Sequence, residues 1–440
     1  MRAPSSRFSS PTMSPWAIGF SLFFLFLYRL GYGLCSEFWA DDEKQVYLIG
    51  LKYYTTGQWP YFGPTAYHAQ IPGALQGLVI GGPLFLWPVP EAPFLLLNLL
   101  SFGALCLFAW YCSKRLPDFP RWLIWTWLLT APWTLNFSTH VVNPSYVLFG
   151  AILFFIGFFE THPALSLNLI SLGLCNLLMG FSLFWIIQFH LSGAVLLPLI
   201  GLSFYFQWKA SPSRFFKSSP WFLAGSAISG AFLLPTYIKY GISQGSGQTG
   251  TLLQWHLDNI KSFFTILARF LSFASFEIPR FVGANTAERW AIFQSHLWLL
   301  PLGLFLLLAG WLQVLFLIAQ WFLKKDPEKD WQAVRRLILG LILLIYISFW
   351  FTSKTPAAHT YYLFLPPVML YSFYCWNDWM KKDRWRKWAK IFLVCGLFYQ
   401  AGLALVRLPI HSLYKDRSIP VSAIVQKNYH LLGEKFSDSW

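Results

Sequence analysis

Charge is scarce in this sequence. Asp, Glu, Lys and Arg make up 12% of 440 residues, against about 25% in an average soluble domain. With 56% hydrophobic and 20% aromatic residues, the chain has far more apolar surface than a water-soluble core of its size requires, so the membrane is its solvent. Cysteine is sparse as well. Cys35, Cys106, Cys112, Cys175, Cys375 and Cys395 are scattered, mostly in apolar stretches and with no CxxC pair, which excludes a metal knuckle and a disulfide framework. The chain also lacks internal repeats and low-complexity linkers, so no separate soluble domain is expected between its apolar runs.

Those runs cover residues 16–34, 94–111, 122–137, 146–159, 165–184, 185–206, 221–238, 297–323, 337–351, 361–376 and 389–408. Several reach the roughly 20 residues a helix needs to cross hydrocarbon. They predict an all-α polytopic membrane protein of about eleven spans. The first run is long for a cleaved signal and no small-residue cleavage pattern follows it, so it reads as a retained anchor. The net charge of +15 does not point to nucleic acid, because its basic residues fall in short clusters between runs: Lys114, Arg115 and Arg121; Lys209, Arg214 and Lys217; Lys324 to Arg336; Lys381 to Lys390. That alternation is the positive-inside pattern. It predicts a cytoplasmic N-terminus, long outer loops over about 33–93 and 239–294, a membrane domain of residues 1–409 and a non-cytoplasmic tail of residues 410–440.

Charge is nearly absent inside the runs, which disfavours a pump or ion-coupled transporter. Arg29 is the exception, near the outer end of the first run, where its side chain is expected to snorkel to the interface. Glu160 and Asp378, at run ends, read as solvated. The first outer loop opens on Asp41-Asp42-Glu43, three successive carboxylates that repel one another and favour no local structure of their own. Two readings stand level: a solvated flank of the anchor, or a carboxylate site in which partial desolvation raises a pKa towards that of a general base. Beyond it lie the turn-rich segment Gly57-Gln-Trp-Pro-Tyr61-Phe-Gly-Pro64 and residues 70–87, too interrupted by proline and glycine to span; an interfacial helix along the membrane surface fits them. Late in the chain, Phe351-Thr-Ser-Lys354-Thr-Pro-Ala-Ala-His359-Thr-Tyr361 forms a short outer turn whose lysine can reach a phosphate at headgroup depth or simply snorkel. Gln188 and His190 fall near the outer turn between the fifth and sixth runs, and a packed histidine is the plainer reading.

The order of these features resembles the GT-C superfamily of polyprenyl-phosphate-sugar glycosyltransferases, in particular its protein O-mannosyltransferase and aminoarabinose-transferase group. Asp42-Glu43 matches the acidic motif, and the segment from Phe351 through Lys354 to Leu365-Pro-Pro367 is similar to that group's late lysine-containing segment. The likeness extends over roughly residues 15–378. Two departures stand out. Gln70-Ile-Pro-Gly73 replaces the Lys-Pro-Pro of members that modify lipid A, and Asn143-Pro144 stands where many relatives carry an aspartate.

The resemblance implies an inverting transferase with Asp42 as base, Glu43 supporting it, and Lys354, His359, Tyr361, Arg269 and Arg280 near the lipid phosphate, with Arg289 as a further loop cation. Asp41, Tyr61, His68, Gln70, Asn143, Gln188 and His190 would line the pocket. Because nucleotide sugars are cytosolic, an outward-facing site calls for a lipid-linked donor. The expected acceptor is a cell-envelope lipid, glycan or protein, and the expected location a bacterial inner membrane with the site on its periplasmic or extracellular face. A monophosphate leaving group requires no cofactor or metal, though a divalent metal stays open. The competing readings are a flippase for lipid-linked sugars and a GT-C-like assembly partner that has lost catalysis.

Overall fold

The apolar runs become helices, and proline decides where several of them stop. The computed structural model describes residues 14–36, 41–66, 69–244, 255–277, 282–283, 286–324, 328–352 and 355–410. It begins with α1 (Pro15–Ser36) and α2 (Asp41–Thr56), then an antiparallel hairpin of β1 (Phe62–Ala66) and β2 (Ala69–Pro72), then α3 (Leu75–Leu86). The middle of the chain forms α4 (Ala92–Arg115), α5 (Arg121–Thr130), α6 (Pro132–Ser138), α7 (Val147–Thr161), α8 (Leu172–Phe189), α9 (Leu197–Ala210), α10 (Pro212–Gly230) and α11 (Leu234–Gln244). The last third forms α12 (Phe263–Ser272), α13 (Thr286–Ser295), α14 (Leu299–Leu323), α15 (Lys329–Trp350), α16 (Leu365–Trp376) and α17 (Asp383–Arg407).

Among the described residues, eight helical segments are long and apolar enough to cross a membrane, and the chain is an all-α integral membrane protein. Each of the eleven apolar runs contains helix, but in three of them it falls short of that length. Pro132 splits the third run into α5 and α6, since it has no N–H to donate and its ring displaces the carbonyl four residues back. α7, with 15 residues, rises only about 22 Å, less than the roughly 30 Å of hydrocarbon. The tenth run starts as a 3-10 turn, Ala358–Phe364, and becomes α-helical only at Leu365 beside Pro366 and Pro367. The division between the fifth and sixth runs also moves, from 184/185 to His190, where α8 ends and the turn Leu191–Leu196 begins.

The Pro132 break corrects the expectation for Arg29. It orphans the last carbonyls of α5, and side chains claim them one by one. Thr134 Oγ1 donates to Leu128 O at 2.8 Å, Arg29 Nη1 to Leu129 O at 2.7 Å and Gln400 Nε2 to Thr130 O at 3.2 Å. Arg29 also donates to the hydroxyls of Ser138 at 2.8 Å and Ser101 at 3.3 Å, and is 0% exposed. It does not snorkel, because the break supplies acceptors inside the bundle. Glu160 is corrected too. The loop after α7 folds back so that Leu167 N and Leu169 N donate to its carboxylate at 3.1 and 3.0 Å, with Tyr111 OH at 2.8 Å and Arg115 4.0 Å away. Asp378 remains partly exposed and pairs with Lys324 and Lys381.

α8 and α10 run parallel, connected by α9. Gly173 faces Trp221, Leu177 faces Gly225, and Ser229 Oγ donates to Phe181 O at 2.7 Å. A Cβ on Gly180 would run into the Phe222 carbonyl and one on Gly225 into the Leu177 carbonyl, so these helices meet backbone to backbone, the small-residue packing used where apolar area gives helices no reason to associate.

The second long outer segment is no simple loop. Within 239–294, α12 carries Ile266, Phe270 and Leu271 on one buried face, and the chain after it buries Phe273, Ala274 and Phe276. Trp133 meets Phe273 and Trp127 meets Phe276 edge-on. Apolar spacing of three and four residues drives the segment back into the bundle. The basic clusters gather at one end of the bundle, where Arg115 pairs with Asp330 at 3.5 Å, Lys324 with Asp378 at 3.1 Å, and Lys390 lies over Trp122. The first loop belongs to the opposite end.

Candidate functional site

Asp41, Asp42 and Glu43 do adopt local structure: they form the first turn of α2. Carboxylates at a helix N-terminus complement the positive end of the macrodipole, and this offsets the mutual repulsion that was expected to leave them unstructured. Glu43 is buried, 9% exposed. The side chains of Asp41 and Asp42 lie outside the described part of the structure. α2 is anchored by Val46, Leu48, Ile49 and Leu51, all buried, and by Tyr47, whose hydroxyl donates to Pro90 O at 3.0 Å. Burial, with Glu91 nearby, pushes the Tyr47 phenol well above its usual range. Across from α2, α3 packs so closely that Gly50 and Gly81 leave no room for a Cβ on either.

The hairpin, which was not expected from sequence, joins these two helices. Phe62 pairs with Pro72, Thr65 with Gln70 and Ala66 with Ala69, with an irregularity between Phe62 and Thr65. Gln70 therefore sits in β2, though its side chain, like all of His68, lies outside the described residues. Tyr61, just before β1, is fixed from α11. Thr236 Oγ1 donates to its carbonyl at 2.6 Å, the Lys239 ammonium lies 4.3 Å from its ring centroid and Tyr240 packs against its edge.

Beneath the hairpin lie three buried or half-buried amides. Gln76 on α3 donates to Asn143 Oδ1 at 2.8 Å, so Asn143 serves as an acceptor that fixes the 139–146 turn to α3. Gln188 donates to Phe184 O at 2.9 Å and Ser229 O at 2.8 Å, while its amide oxygen is buried against Gly73, whose φ of 108° is open to glycine. His190 ends α8; its Nδ1 is 2.7 Å from Ser192 Oγ and its ring stands edge-on to His359 at 6.3 Å. The structure thus brings His190 and His359 together, and sets Gln76, Asn143 and Gln188 on the elements that carry the hairpin.

Other expected residues fall elsewhere. Lys354 and Arg280 lie outside the described residues. Arg269 pairs with Glu277 at 3.2 Å, beside α14, so its charge is committed within the bundle, and Arg289 donates to Gly283 O at 2.9 Å. Tyr361 is buried between Phe273 and Phe349, with its ring given over to packing. His359 is exposed.

A second polar group was missed in the sequence. His140 Nε2 lies 2.8 Å from Ser36 Oγ, its ring stacks on Tyr32 at 5.7 Å, Tyr32 OH donates to Asn136 Oδ1 at 3.0 Å, and the buried Arg407 donates to Ser36 O at 3.1 Å. Ser36 ends α1 five residues before Asp41, so the chain keeps this cluster within about 17 Å of the acidic turn. Its one sequence signal is a histidine directly after an apolar run. Among the described residues, no group of three or more His, Cys, Asp or Glu side chains could hold a metal.

A cavity of about 550 Å³ lies at the other end of the bundle, between α8 and α10, remote from these side chains. At the first-loop end, carboxylate, amide and imidazole groups on separate elements can accept a proton from a hydroxyl and hydrogen-bond a polyhydroxylated ligand. Compared with family models, curated proteins and solved structures, the chain matches none.

Proposed function

We propose that this chain is an inverting glycosyltransferase that moves a sugar from a polyprenyl-phosphate donor to a cell-envelope lipid, glycan or protein on the non-cytoplasmic face of its membrane. The observation that carries the reading is the acidic first turn of α2, seated on the hairpin and α3 at the end of the bundle opposite the basic clusters. By the positive-inside pattern that end faces away from the cytoplasm, where lipid-linked sugars are the economical donors.

In the proposed reaction an acceptor hydroxyl attacks the anomeric carbon. Its oxygen forms the new glycosidic bond, its proton passes to the Asp42 carboxylate, and the bond from the anomeric carbon to the phosphate oxygen breaks, releasing polyprenyl phosphate. Glu43 supports the base. Negative charge grows on the leaving phosphate, and a cation aimed there stabilises the transition state more than the ground state; Lys354 is assigned that part. Gln76, Asn143, Gln188 and His190 would meet sugar hydroxyls. Against a flippase, the buried charges Arg29 and Glu160 are held by fixed backbone partners, a structural use that lines no ion path.

The test supplies purified protein with radiolabelled polyprenyl-phosphate sugars and envelope extract. Asp42→Asn is expected to lower transfer by at least about a hundredfold, the usual weight of a general base, and Lys354→Ala to lower it as well, both with an unchanged melting temperature. Undiminished transfer by Asp42→Asn would remove the base assignment. Sugar-lipid movement across vesicles without a new glycosidic bond would replace the enzyme by a transporter.

A further inference from the structure

The parallel pairing of α8 and α10 leaves an electrostatic imbalance at the basic end. The face of α10 that meets α8 through Gly225 and Ser229 continues towards its own N-terminus through Trp221, Ser218, Lys217 and Arg214, at spacings of three and four residues. α10 extends about two turns below the first residue of α8, so Arg214 and Lys217 line the space under the α8 N-terminus, where that helix presents its positive dipole end. The result is the cavity of about 550 Å³, bounded by these side chains and by Ser171. No carboxylate lines it, and neither cation has an ion pair among the described residues.

Arg214 and Lys217 are exposed at this cavity, and two cations beside a helix N-terminus make a favourable place for an anion. The cavity lining includes the exposed apolar side chains Leu174 and Trp221 beside Leu172 and Leu177, an apolar border suited to acyl chains, and Arg214 and Lys217 lie in the first two turns of a segment long and apolar enough to span. We propose that this cavity binds the phosphate headgroup of an anionic phospholipid from the leaflet at the basic end of the bundle. The guanidinium and ammonium meet the phosphate oxygens, the indole sits at headgroup level as interfacial tryptophans do, and the chains lie along the apolar border. This site does not depend on the glycosyltransferase reading.

Native mass spectrometry of the full-length protein, titrated with phosphatidylglycerol or phosphatidylcholine, tests it. One phosphatidylglycerol is expected to bind in preference to phosphatidylcholine. At about fivefold per basic side chain near a headgroup, Arg214→Gln with Lys217→Gln should weaken binding roughly thirtyfold, whereas the exchange Arg214→Lys with Lys217→Arg should retain it. Removing equal charge from the same end outside the cavity, Lys329→Gln with Lys387→Gln, should leave binding intact. Size-exclusion profiles confirm that each variant folds. Equal losses in the two neutralised pairs would reduce the site to diffuse surface charge and overturn the proposal. Displacement of the lipid by inorganic phosphate at matching concentration would assign a soluble anion instead, and overturn it as well.

Discussion

Arg29 and Glu160 are buried polar side chains that the bundle keeps by surrounding them with backbone partners. Arg29→Met would strip the donor from Leu129 O and the Ser138 hydroxyl, at about 1–3 kcal/mol for each buried group left unsatisfied, read as a lower unfolding midpoint in detergent. Arg29→Lys should recover only part of this, because an ammonium cannot match the spread of acceptors that the planar guanidinium reaches. Glu160→Ala would leave Arg115 to Asp330 but would strip the acceptor from two loop N–H groups, Leu167 and Leu169, at about 1–3 kcal/mol for each buried group left unsatisfied. His162, in the same loop, gives a pH signature. Burial, reinforced by Arg336 and Arg115, holds its imidazole below the ordinary value. The unfolded chain takes up a proton near pH 6.5 while the folded ring stays neutral, so its stability contribution is complete above that pH and is lost as pH falls through it towards the folded value. His162→Asn should therefore flatten the decline in melting temperature between about pH 7 and 5.5 relative to the parent.

Element by element, hydropathy shows where helices lie but not where proline and tight packing divide them. The eleven apolar runs were legible because each is a long stretch of Leu, Phe, Trp and Ile. The break at Pro132 was written in the sequence, yet its consequence for Arg29 was not, because the acceptors come from residues about a hundred positions away. The hairpin was illegible for a different reason: its strands hold five and four residues, one includes Pro64 and the other ends on Pro72, which reads as turn. Helix pairing can be tested at glycines. Gly225→Ala forces a methyl into the Leu177 carbonyl and should destabilise by about 1–3 kcal/mol, whereas Gly103→Ala, with open space around its Cβ, should be neutral or stabilising by up to about 1 kcal/mol. Thermal unfolding of the two variants separates packing from propensity.

At the scale of the whole molecule, the charge pattern of the sequence and the arrangement of the bundle agree on two unlike ends. The basic clusters, far apart in sequence, converge through Arg115, Asp330, Lys324 and Asp378. The acidic turn, the hairpin and the His190–His359 pair share the other end, as the alternation of runs predicts for the first loop and the turns at 190 and 351–361, whereas the contacts from Gln76 to Asn143 and from Gln188 to Ser229 were not legible. What remained hidden was the polar group of Tyr32, Ser36, His140 and Arg407, because hydrogen bonds between the first and last helices leave no periodic trace. His140→Ala should lower transfer if that group positions the acidic turn, with the loss appearing mainly in kcat and little in KM. An unchanged kcat would confine the cluster to holding α1 against α6.

The helix break between α5 and α6 also sets an order of events during synthesis. Thr130 O waits for Gln400, 270 residues later, Tyr28 OH for Leu397 O and Ser36 O for Arg407. Until α17 has left the ribosome and docked, the nascent protein holds an unfilled carbonyl inside hydrocarbon, where no water can substitute. A chain stopped before residue 383 would insert most of its helices yet stay recognisable as unfinished. Membrane quality control, whether chaperone or protease, would find its mark at that break, and the last helix serves as the seal that removes it.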